Sequence, residues 1–357
     1  MDTTAIIGFQ VSYENVHDVT GYCSAEMAID NANAKGDLPF KLELIPILDN
    51  ANTETGRAAA AKFVEKSNAI GVLGPLNSDT TLASQEIYSN AGLLQLTSEA
   101  SSPLLTSRGL KNFFRLVAND EYQGRDLAKV ATMYLKGKRI AVLHDDTAWG
   151  RPIAEIFSRE AERLGSKPIF FRGFGEKEKK LDFRELVDDA VASSPDVVYF
   201  AIYWNKAHII AHRLRDAGVK ATFLGSDALK PYAFLEVPSL DTVKPYHSLA
   251  GVDMRVKATA REFWGEFARK YPLMTDAPQY AAEAYDCASL LIEAIRRAKA
   301  VDRARVLSEF RNIKEFSGAT GKISFDQNGD LIDPEIGLYQ CENGLRKYLG
   351  QIREVVK

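Results

Sequence analysis

The sequence predicts an α/β protein with two similar lobes, each built around a central sheet of parallel strands. Two observations support this fold class: short β-branched runs alternate with longer helical patterns, and the alternation restarts once, near residues 119–121. Because strand–helix–strand units make right-handed crossovers, their strands lie parallel and helices cover both faces of the sheet. The length of 357 residues agrees with about two domains of ~100–200 residues each.

The first series of elements opens with a buried strand and a helix. Asp18 is a helix-starting residue and Gly36 lies just beyond the predicted end, so the first helix is placed at residues 18–35. In the second helix Thr53 is the expected N-cap, ahead of an alanine-rich body. The predicted strands of this series are 5–11, 41–48, 70–74, 93–97 and 113–117, and its helices are 18–35, 53–67 and 78–91.

The second series begins with a helix from residues 119–121 to about 136. Its other predicted elements are strands 139–144, 167–171, 197–203 and 222–225, and helices 153–164, 183–192 and 206–217. Further elements follow at helices 257–271, 281–300 and 303–311 and strands 322–325, 335–340 and 346–352, with turn signals at 326–330 and 342–344. These remaining elements indicate that the chain crosses back to complete each lobe.

Composition and charge argue against several classes of protein. Lysine and arginine number 45 against 48 aspartates and glutamates, a formal net charge of −3, so no nucleic-acid partner is expected. No apolar stretch approaches the ~20 residues needed to cross a bilayer. The opening Met1-Asp2-Thr3-Thr4 lacks the charged and apolar regions of a signal peptide, which leaves a cytosolic protein or an exported one whose leader has been removed. Cys23, Cys287 and Cys341 are expected to pack as small hydrophobes.

Nucleotide-binding and catalytic motifs are absent from the sequence. The first strand contains Gly8-Phe9-Gln10 without the second glycine of a dinucleotide fingerprint, and no P-loop or G-x-S-x-G elbow occurs. His208 and His212 share a helical face, but Ile209 replaces a metalloprotease glutamate, so a packing or surface pair is favoured over a zinc site. Residues 326–330 imitate a calcium loop but lack its bidentate glutamate. We therefore expect no enzyme activity, no metal and no cofactor.

Two clusters of small hydroxyl residues follow predicted strands, at residues 74–81 and 96–103. Open parallel α/β sheets bind their ligands at the carboxyl ends of the strands, which is where both clusters are expected. Serine hydroxyls together with the N–H groups of a helix N-terminus suit a carboxylate. The alternative is that these serines and threonines only cap helices, and the sequence alone leaves both interpretations open.

Seven motifs occur in one order along the chain and together resemble a known family. They are 74–78, 97–106, Asp120 with Gln123 and Gly124, 144–150, 196–199 with Tyr203, 225–227, and 325–330. This succession resembles the type I periplasmic binding proteins of ABC transporters, specifically their leucine/isoleucine/valine-binding branch, from Ile6 to about Ile352.

The resemblance implies two Rossmann-like lobes joined by a hinge of three chain crossovers. These crossovers are placed near residues 118–121, 247–252 and 329–333. Ligand would bind in a cleft between the lobes, which close over it. Lobe one would comprise residues 1–119 and 252–329, and lobe two residues 120–248 and 330–357.

By this resemblance the hydroxyls of Ser78 and Ser101 hold the α-carboxylate of the ligand, and Asp227 holds its α-ammonium. A zwitterion held at both ends would favour the closed state, because only closure satisfies both charges. Trp149 and Tyr203 match aromatic wall positions on lobe two. Trp149 is expected to be exposed to the cleft, and for Tyr203 the alternative is simple packing inside the lobe.

The other candidate ligand-binding residues lie on lobe one. Tyr280 matches an aromatic wall position and Leu76 matches an apolar wall position. Asn77 is a further candidate ligand-binding residue. Glu99 departs from the small residue or serine of the family, and its carboxylate either faces solvent or recognises a second positive charge on the ligand. The family's frequent lobe-one disulfide is missing, since its two positions are Asn52 and Asn77.

The function implied by the resemblance is solute capture rather than catalysis. A monomeric periplasmic protein would bind a small amino acid, of branched-chain or aliphatic type, and deliver it to the permease of an ABC transporter in the membrane. Two alternatives stay open: a ligand-sensing domain of the amide-sensor type, and a relative that binds another carboxylate such as an aromatic acid. A leader sequence upstream of this chain would favour transport over sensing.

Overall fold

The computed structural model describes residues 4–12, 16–174, 183–229, 244–251, 253–274, 279–342 and 345–357. The chain divides into two compact units. The first unit comprises Met1–Ala118 and Gly251–Pro334, and the second comprises Asn119–Ala250 and Glu335–Lys357.

The strands of the described residues alternate with helices in most of the chain. In chain order they are β1 Thr4–Val11, β2 Lys41–Leu48, β3 Ala69–Leu73, β4 Leu94–Thr97, β5 Phe113–Arg115, β6 Ile140–Asp145, β7 Phe170–Phe174, β8 Val197–Ala201, β9 Thr222–Gly225, β10 Tyr246–Leu249, β11 Phe316–Gly318, β12 Gly321–Ile323, β13 Gly337–Glu342 and β14 Leu345–Gln351.

The helices lie between these strands and in the block that follows β10. They are α1 Val16–Lys35, α2 Thr53–Val64, α3 Ser78–Asn90, α4 Leu104–Ser107, α5 Asp120–Lys129, α6 Gly150–Arg163, α7 Arg184–Ala192, α8 Trp204–Asp216, α9 Arg261–Lys270, α10 Ala281–Ala298, α11 Arg303–Arg311 and α12 Ile352–Val355. A π-helical turn, Val130–Tyr134, extends α5, and a 3₁₀ turn, Ala258–Ala260, precedes α9.

Each unit is built on one central sheet, and the two sheets share a strand order. The first sheet runs β2-β1-β3-β4-β5 with every neighbouring pair parallel. The second runs β14-β13-β10-β9-β8-β6-β7 and is parallel from β7 to β10, after which β13 and β14 pair antiparallel. Counted from the edge, β7-β6-β8-β9-β10 repeats the order β2-β1-β3-β4-β5. Sheets of this order bind ligands at the carboxyl ends of the strands that flank the order reversal.

The core of the first unit occupies both faces of its sheet. Helices α1 and α10 pack on one face, where Phe9, Leu73 and Leu291 belong to a single buried cluster. Helices α2 and α3 pack on the other, where Phe63 and Tyr88 lie beside β3. Burying each such side chain contributes roughly 1.5–3 kcal/mol, so the packed helices hold the strand ends in place.

The second unit is organised in the same way, as alternation along β8 shows. Phe200 points into a cluster with α7 and α8, whereas the neighbouring Tyr199 stacks on Phe157 of α6, with ring centroids 4.0 Å apart. Successive side chains of a strand point to opposite faces, so a continuous apolar run is what a strand covered on both sides requires.

The structure confirms the predicted α/β class with parallel central sheets, and several element bounds agree with the sequence analysis. β2, β9 and α11 begin and end where predicted. The antiparallel bridge between Phe325 and Leu331 confirms the turn at 326–330. Of the second predicted turn, residues 343 and 344 lie outside the described residues.

Other predictions of local structure are wrong in detail. α1 begins at Val16, two residues before the predicted start. The N-cap of α2 is Asn52 rather than Thr53, because the Asn52 side chain accepts hydrogen bonds from the backbone N–H groups of Glu54 and Thr55, both at 3.0 Å. Sequence analysis also missed β10 and β11, which are short and lack the alternation that marks longer strands.

Two of the unit boundaries, after Ala118 and Ala250, fall within the predicted crossovers 118–121 and 247–252, and the third lies just beyond 329–333. The last boundary follows Pro334, whereas the prediction assigned lobe two from residue 330 onward. Residues up to Asp330 are tied to the first unit, because Arg115 forms an ion pair with Asp330 at 2.6 Å. The division into two hinged lobes stays a prediction.

The cysteines are free thiols, with Cys287 and Cys341 buried and Cys23 half-buried. Cys287 and Cys341 belong to apolar clusters, as expected of small hydrophobic residues. None of the described helices has the length and apolar character that a membrane span requires.

Candidate functional site

Two loops of the first unit meet at the carboxyl ends of adjacent parallel strands. One follows β3 and leads into α3 at Ser78, and the other follows β4 and contains Ser101 and Ser102. The backbone N–H of Ser102 donates to Oγ of Ser78 across 3.2 Å. The hydroxyl of Thr97 donates to the carbonyl oxygen of Pro75 at 2.7 Å. These two hydrogen bonds join the loops into one polar surface in which Ser78 and Ser101 are each 2% exposed.

The structure argues against helix capping as the role of these serines. Ser78 is the first residue inside α3, and Asn77, which occupies the N-cap position, makes no side-chain cap hydrogen bond. The N-cap position of α4 is held by Pro103, so neither Ser101 nor Ser102 caps that helix. The interpretation as N-caps therefore fails for Ser78, Ser101 and Ser102, whereas Oγ1 of Thr97 accepts from the backbone N–H groups of Glu99 and Ala100 at 3.4 and 3.2 Å. The carboxylate-binding interpretation stays a prediction.

The first of these loops depends on a glycine. Gly74 has φ +86°, a left-handed conformation that glycine adopts without strain. A Cβ atom at this position would lie 2.4 Å from the carbonyl oxygen of Gln10, so no larger residue fits. The Gln95 side chain donates to the Gly74 carbonyl at 3.0 Å and holds the turn from the neighbouring strand.

The second loop is held by Arg115, a residue that the sequence analysis did not single out. Its guanidinium is fully buried and donates to the carbonyl oxygens of Ala100 and Ser102 at 3.1 and 3.0 Å. It also donates to Oγ1 of Thr106 at 2.8 Å and pairs with Asp330 at 2.6 Å. The sequence signal that could have identified Arg115 is its place in an apolar strand. An arginine that is buried there needs an acidic partner.

Three further candidate residues lie on the same two loops. Leu76 is buried within the apolar cluster of the first unit. Asn77 and Glu99 are half-buried, and the backbone N–H of Glu99 faces Oγ1 of Thr97 at 3.4 Å. Both interpretations of the Glu99 carboxylate remain predictions.

Tyr280 lies at the start of α10, away in sequence from the serine loops but in the same unit. It has φ +63°, an uncommon conformation for a bulky residue, and its side chain is buried. Its ring faces Gly251, where an added Cβ would lie 3.3 Å from the Tyr280 ring and 2.3 Å from Oε1 of Glu283. Gly251 therefore gives Tyr280 and Glu283 the space that they occupy.

In the second unit, Trp149 and Tyr203 form an aromatic pair. Their ring centroids are 4.9 Å apart with an interplanar angle of 40°. Trp149 is 3% exposed, so the expectation of an exposed tryptophan is wrong, and Tyr203 is half-buried. The indole is covered partly because the Tyr203 ring packs against it.

A buried carboxylate, Asp145, fixes the loops that carry this pair. It accepts hydrogen bonds from Oγ1 of Thr147 at 2.5 Å and from the backbone N–H of Tyr203 at 3.2 Å. The backbone N–H of Gly150 in turn donates to Oγ1 of Thr147 at 2.8 Å. Burial raises the pKa of Asp145 despite these donors. Asp145 belongs to the motif at 144–150. Its hydrogen-bond partner Tyr203 lies 58 residues away in the chain, and no local pattern predicts a contact over that distance.

Asp227 follows β9 and is 7% exposed. Its loop is joined to the Tyr203 loop, because the backbone N–H of Trp204 donates to the carbonyl of Ala228 at 3.1 Å. Burial raises the pKa of Tyr199, and the negative charges of Asp120 and Asp227 raise it further. Asp120 and Asp227 are therefore two buried carboxylates whose charges both reach Tyr199.

The shared strand order places the candidate residues at equivalent positions of the two sheets. Ser78 follows β3 and Tyr203 follows the corresponding strand β8. Ser101 follows β4 and Asp227 follows the corresponding strand β9. The first unit therefore has hydroxyl groups at these positions, and the second unit has a carboxylate and the Tyr203 ring. Within the described residues no group of three or more histidine, cysteine or acidic side chains could hold a metal ion.

Comparison with known sequences identifies relatives along most of the chain. A family model described as periplasmic binding protein matches residues 23–344. A Leu/Ile/Val-binding protein, BraC3, of Rhizobium johnstonii is 28% identical over 324 residues, covering 90% of this chain and 86% of the relative. An amino acid binding protein of Pseudomonas aeruginosa is 27% identical over 326 residues, covering 89% of this chain and 84% of the relative.

Solved structures share the fold over nearly the whole chain. The leucine binding protein LivK of Thermotoga maritima has a TM-score of 0.86 at 21% identity, covering 98% of each chain. LivJ of Streptococcus pneumoniae, solved in complex with isoleucine, has a TM-score of 0.84 at 22% identity, covering 98% of this chain and 99% of that one. A solute binding protein of R. palustris in complex with benzoate has a TM-score of 0.83 at 15% identity, covering 98% of this chain and 96% of that one.

Proposed function

The chain belongs to the periplasmic binding protein family, and we propose that it captures a branched-chain or other small aliphatic amino acid and delivers it to the permease of an ABC transporter. The family works outside the cytoplasm, and the relatives named for leucine, isoleucine and valine binding support this ligand class. The proposed location is the periplasm. The protein would act as a monomer, for which light scattering should return a mass near 39.5 kDa.

The hydroxyls of Ser78 and Ser101 are proposed to receive the α-carboxylate. The observation that carries this proposal is the hydrogen bond from the Ser102 N–H to Oγ of Ser78 at 3.2 Å. Because Oγ acts as the acceptor in that contact, the hydroxyl hydrogen of Ser78 can be donated to a carboxylate. The N–H groups at the start of α3 add positive potential beside it, since Asn77 does not cap them.

Asp227 is proposed to receive the α-ammonium. Its carboxylate is buried, so a charge-assisted hydrogen bond to an ammonium group would be worth roughly 1.5–3 kcal/mol. Trp149, Tyr203, Tyr280 and Leu76 would surround the aliphatic side chain of the ligand, since rings and apolar side chains favour apolar ligands. Asn77 and Glu99 would then lie at the border of the site.

Thermal-shift and titration calorimetry test the proposal with leucine, isoleucine, valine and glycine as probes. A ligand at 100 times its dissociation constant adds about 2.7 kcal/mol to the free energy of unfolding. Asp227→Asn should weaken amino-acid binding at least about tenfold. Asp188→Asn, an exposed aspartate of α7 in the same unit, is the matched control and should bind as the parent does. Failure of all four amino acids to bind would contradict the proposal.

The same measurements separate the alternatives. A ligand without nitrogen, such as an aromatic carboxylate, would need the serine hydroxyls but not Asp227, so Asp227→Asn would bind it as well as the parent. We also propose that binding occurs without a reaction. Mass spectrometry should therefore recover the amino acid unchanged after prolonged incubation, and detectable turnover would contradict this.

A further inference from the structure

A surface groove of about 300 Å³ lies in the first unit, apart from the serine loops. It forms where the N-terminal end of β5, the C-terminal end of α11 and the turn at 326–329 meet. β5 pairs in parallel with β4, with Gln95 opposite Phe113 at the beginning of both strands. The groove is therefore at the amino end of the sheet, whereas Ser101 follows the carboxyl end of β4.

The inner surface of the groove is aromatic. The ring of Phe114 lies 4.5 Å from that of Phe310 and 5.2 Å from that of Phe325, measured between centroids. Phe310 is buried, whereas Phe114 and Phe325 are half-buried and retain surface that a ligand could cover. Such rings offer faces and edges to which a flat apolar group can pack.

The rim of the groove is cationic. Lys111, Arg311 and Lys314 are exposed and line the groove. Arg311 donates to the Lys111 carbonyl at 2.6 Å, and the ammonium group of Lys314 faces the Arg311 carbonyl at 3.4 Å. Lys111 similarly faces the carbonyl of Gln327 at 3.4 Å. These carbonyl oxygens carry no net charge, so they leave the three positive charges uncompensated.

Acidic groups near the rim do not neutralise it. In the part of the chain that the structure describes, no carboxylate forms an ion pair with Lys111, Arg311 or Lys314. Asp326 is the acidic residue of the lining, and its Oδ1 accepts from the backbone N–H groups of Asn328 and Asp330 at 2.8 and 3.0 Å. The lining therefore has an excess of positive charge although the whole chain has a formal charge of −3.

We propose that this aromatic and cationic groove is a second ligand site, which binds a small flat anion such as an aryl carboxylate. The rings would bury the aromatic body, and the lysine and arginine groups would pair with the carboxylate in charge-assisted hydrogen bonds. Ligand pockets have volumes of roughly 300–1,000 Å³, so a groove at the lower limit suits a molecule of one or two rings. The proposal is independent of the amino-acid site, because it uses none of the residues assigned to that site.

Binding of 2-naphthoate to the full chain, measured by calorimetry in the presence of saturating leucine, tests this inference. The parent should bind 2-naphthoate at least about tenfold more tightly than the neutral 2-naphthamide. Lys111→Glu/Lys314→Glu should lower naphthoate affinity at least about tenfold. Lys62→Glu/Lys220→Glu makes the same charge change at two other exposed lysines and should leave that affinity unchanged.

Three results would overturn the proposal: no measurable naphthoate binding by the parent, equal affinity for acid and amide, or equal affinity of the two charge-reversal variants. Displacement of naphthoate by leucine, or loss of naphthoate binding in Ser78→Ala, would place the acid in the amino-acid site instead. If the double variant does not fold, as judged by circular dichroism, Lys314→Gln provides the same comparison with a smaller charge change. Chemical-shift changes confined to Ile313 and Gly329 would locate the bound acid independently.

Discussion

The backbone N–H of Ser102 donates to the side-chain oxygen of Ser78 across 3.2 Å. These residues belong to loops that follow neighbouring parallel strands, 24 positions apart in the chain. The contact gives Ser78 a role other than helix capping and orients its hydroxyl. It also means that the two halves of the proposed carboxylate site are structurally dependent on each other.

Ser78→Ala should weaken amino-acid binding about tenfold, because a hydrogen bond to a charged group contributes roughly 1.5–3 kcal/mol. The same substitution removes the acceptor of the Ser102 N–H and should lower the free energy of unfolding by about 1 kcal/mol. Calorimetry and urea unfolding measure the two effects. Ser107→Ala, an exposed serine of α4, is the control and should change neither. Unchanged affinity of Ser78→Ala would remove Ser78 from the site.

Gly74→Ala should destabilise the protein by more than Gly92→Ala. Both glycines have a positive φ, +86° and +67°, so alanine at either position is strained by about 1–2 kcal/mol. Only at Gly74 would the new Cβ contact backbone, at 2.4 Å from the Gln10 oxygen, whereas nothing lies within 4 Å of the Cβ at Gly92. The clash should add about 1–3 kcal/mol. Equal urea midpoints for the two variants would contradict this account of the turn.

Arg115→Met should lower the free energy of unfolding by about 3–5 kcal/mol, because it leaves Asp330 buried without its cation. Asp330→Asn added to Arg115→Met should recover part of that loss, since the uncompensated charge is then removed. Arg297→Met, which breaks an exposed ion pair with Glu293, should cost at most about 1 kcal/mol. Additive effects of the Arg115 and Asp330 substitutions would contradict the assigned coupling.

Asp286 should make stability fall as pH rises from about 4 to 6. The carboxylate is buried in α10 and accepts from the backbone N–H groups of Ala319 and Thr320 at 2.8 and 2.7 Å. Burial nevertheless raises its pKa from 3.8 to about 6. Because the folded state binds this proton more tightly than the unfolded state, the group's contribution is greatest below its unfolded pKa and decreases until the pH passes its folded pKa.

The change due to Asp286 is about 3 kcal/mol, from about 1.4 kcal/mol per pKa unit. The unfolding free energy of the parent minus that of Asp286→Asn should therefore fall between pH 4 and pH 7 in urea titrations. Ser107→Ala, at an exposed serine that has no titratable group, is the control and should give a difference that does not vary with pH. A difference that increases with pH for Asp286→Asn would reverse the assigned direction of the pKa shift.

Much of the fold could be predicted from local patterns. The apolar residues of β2 and β9 and the helical pattern of α11 each depend on residues within a few positions of one another. The motifs that resemble the periplasmic binding proteins were also short segments, and the matching family model over residues 23–344 confirms that resemblance. Errors occurred where the signal was short, as in β10, or where a neighbouring residue was the better cap, as at Asn52.

The sequence by itself determined the α/β alternation, the family and the residue types available to a ligand, because periodicity, turn residues and motif order are local properties of a chain. The tertiary structure decided how those residues are held. Arg115 reaches Asp330 and Asp145 reaches Tyr203 only after strands distant in sequence lie side by side. Buried charges and loop contacts depend on which strand ends become neighbours, and that adjacency is created by folding.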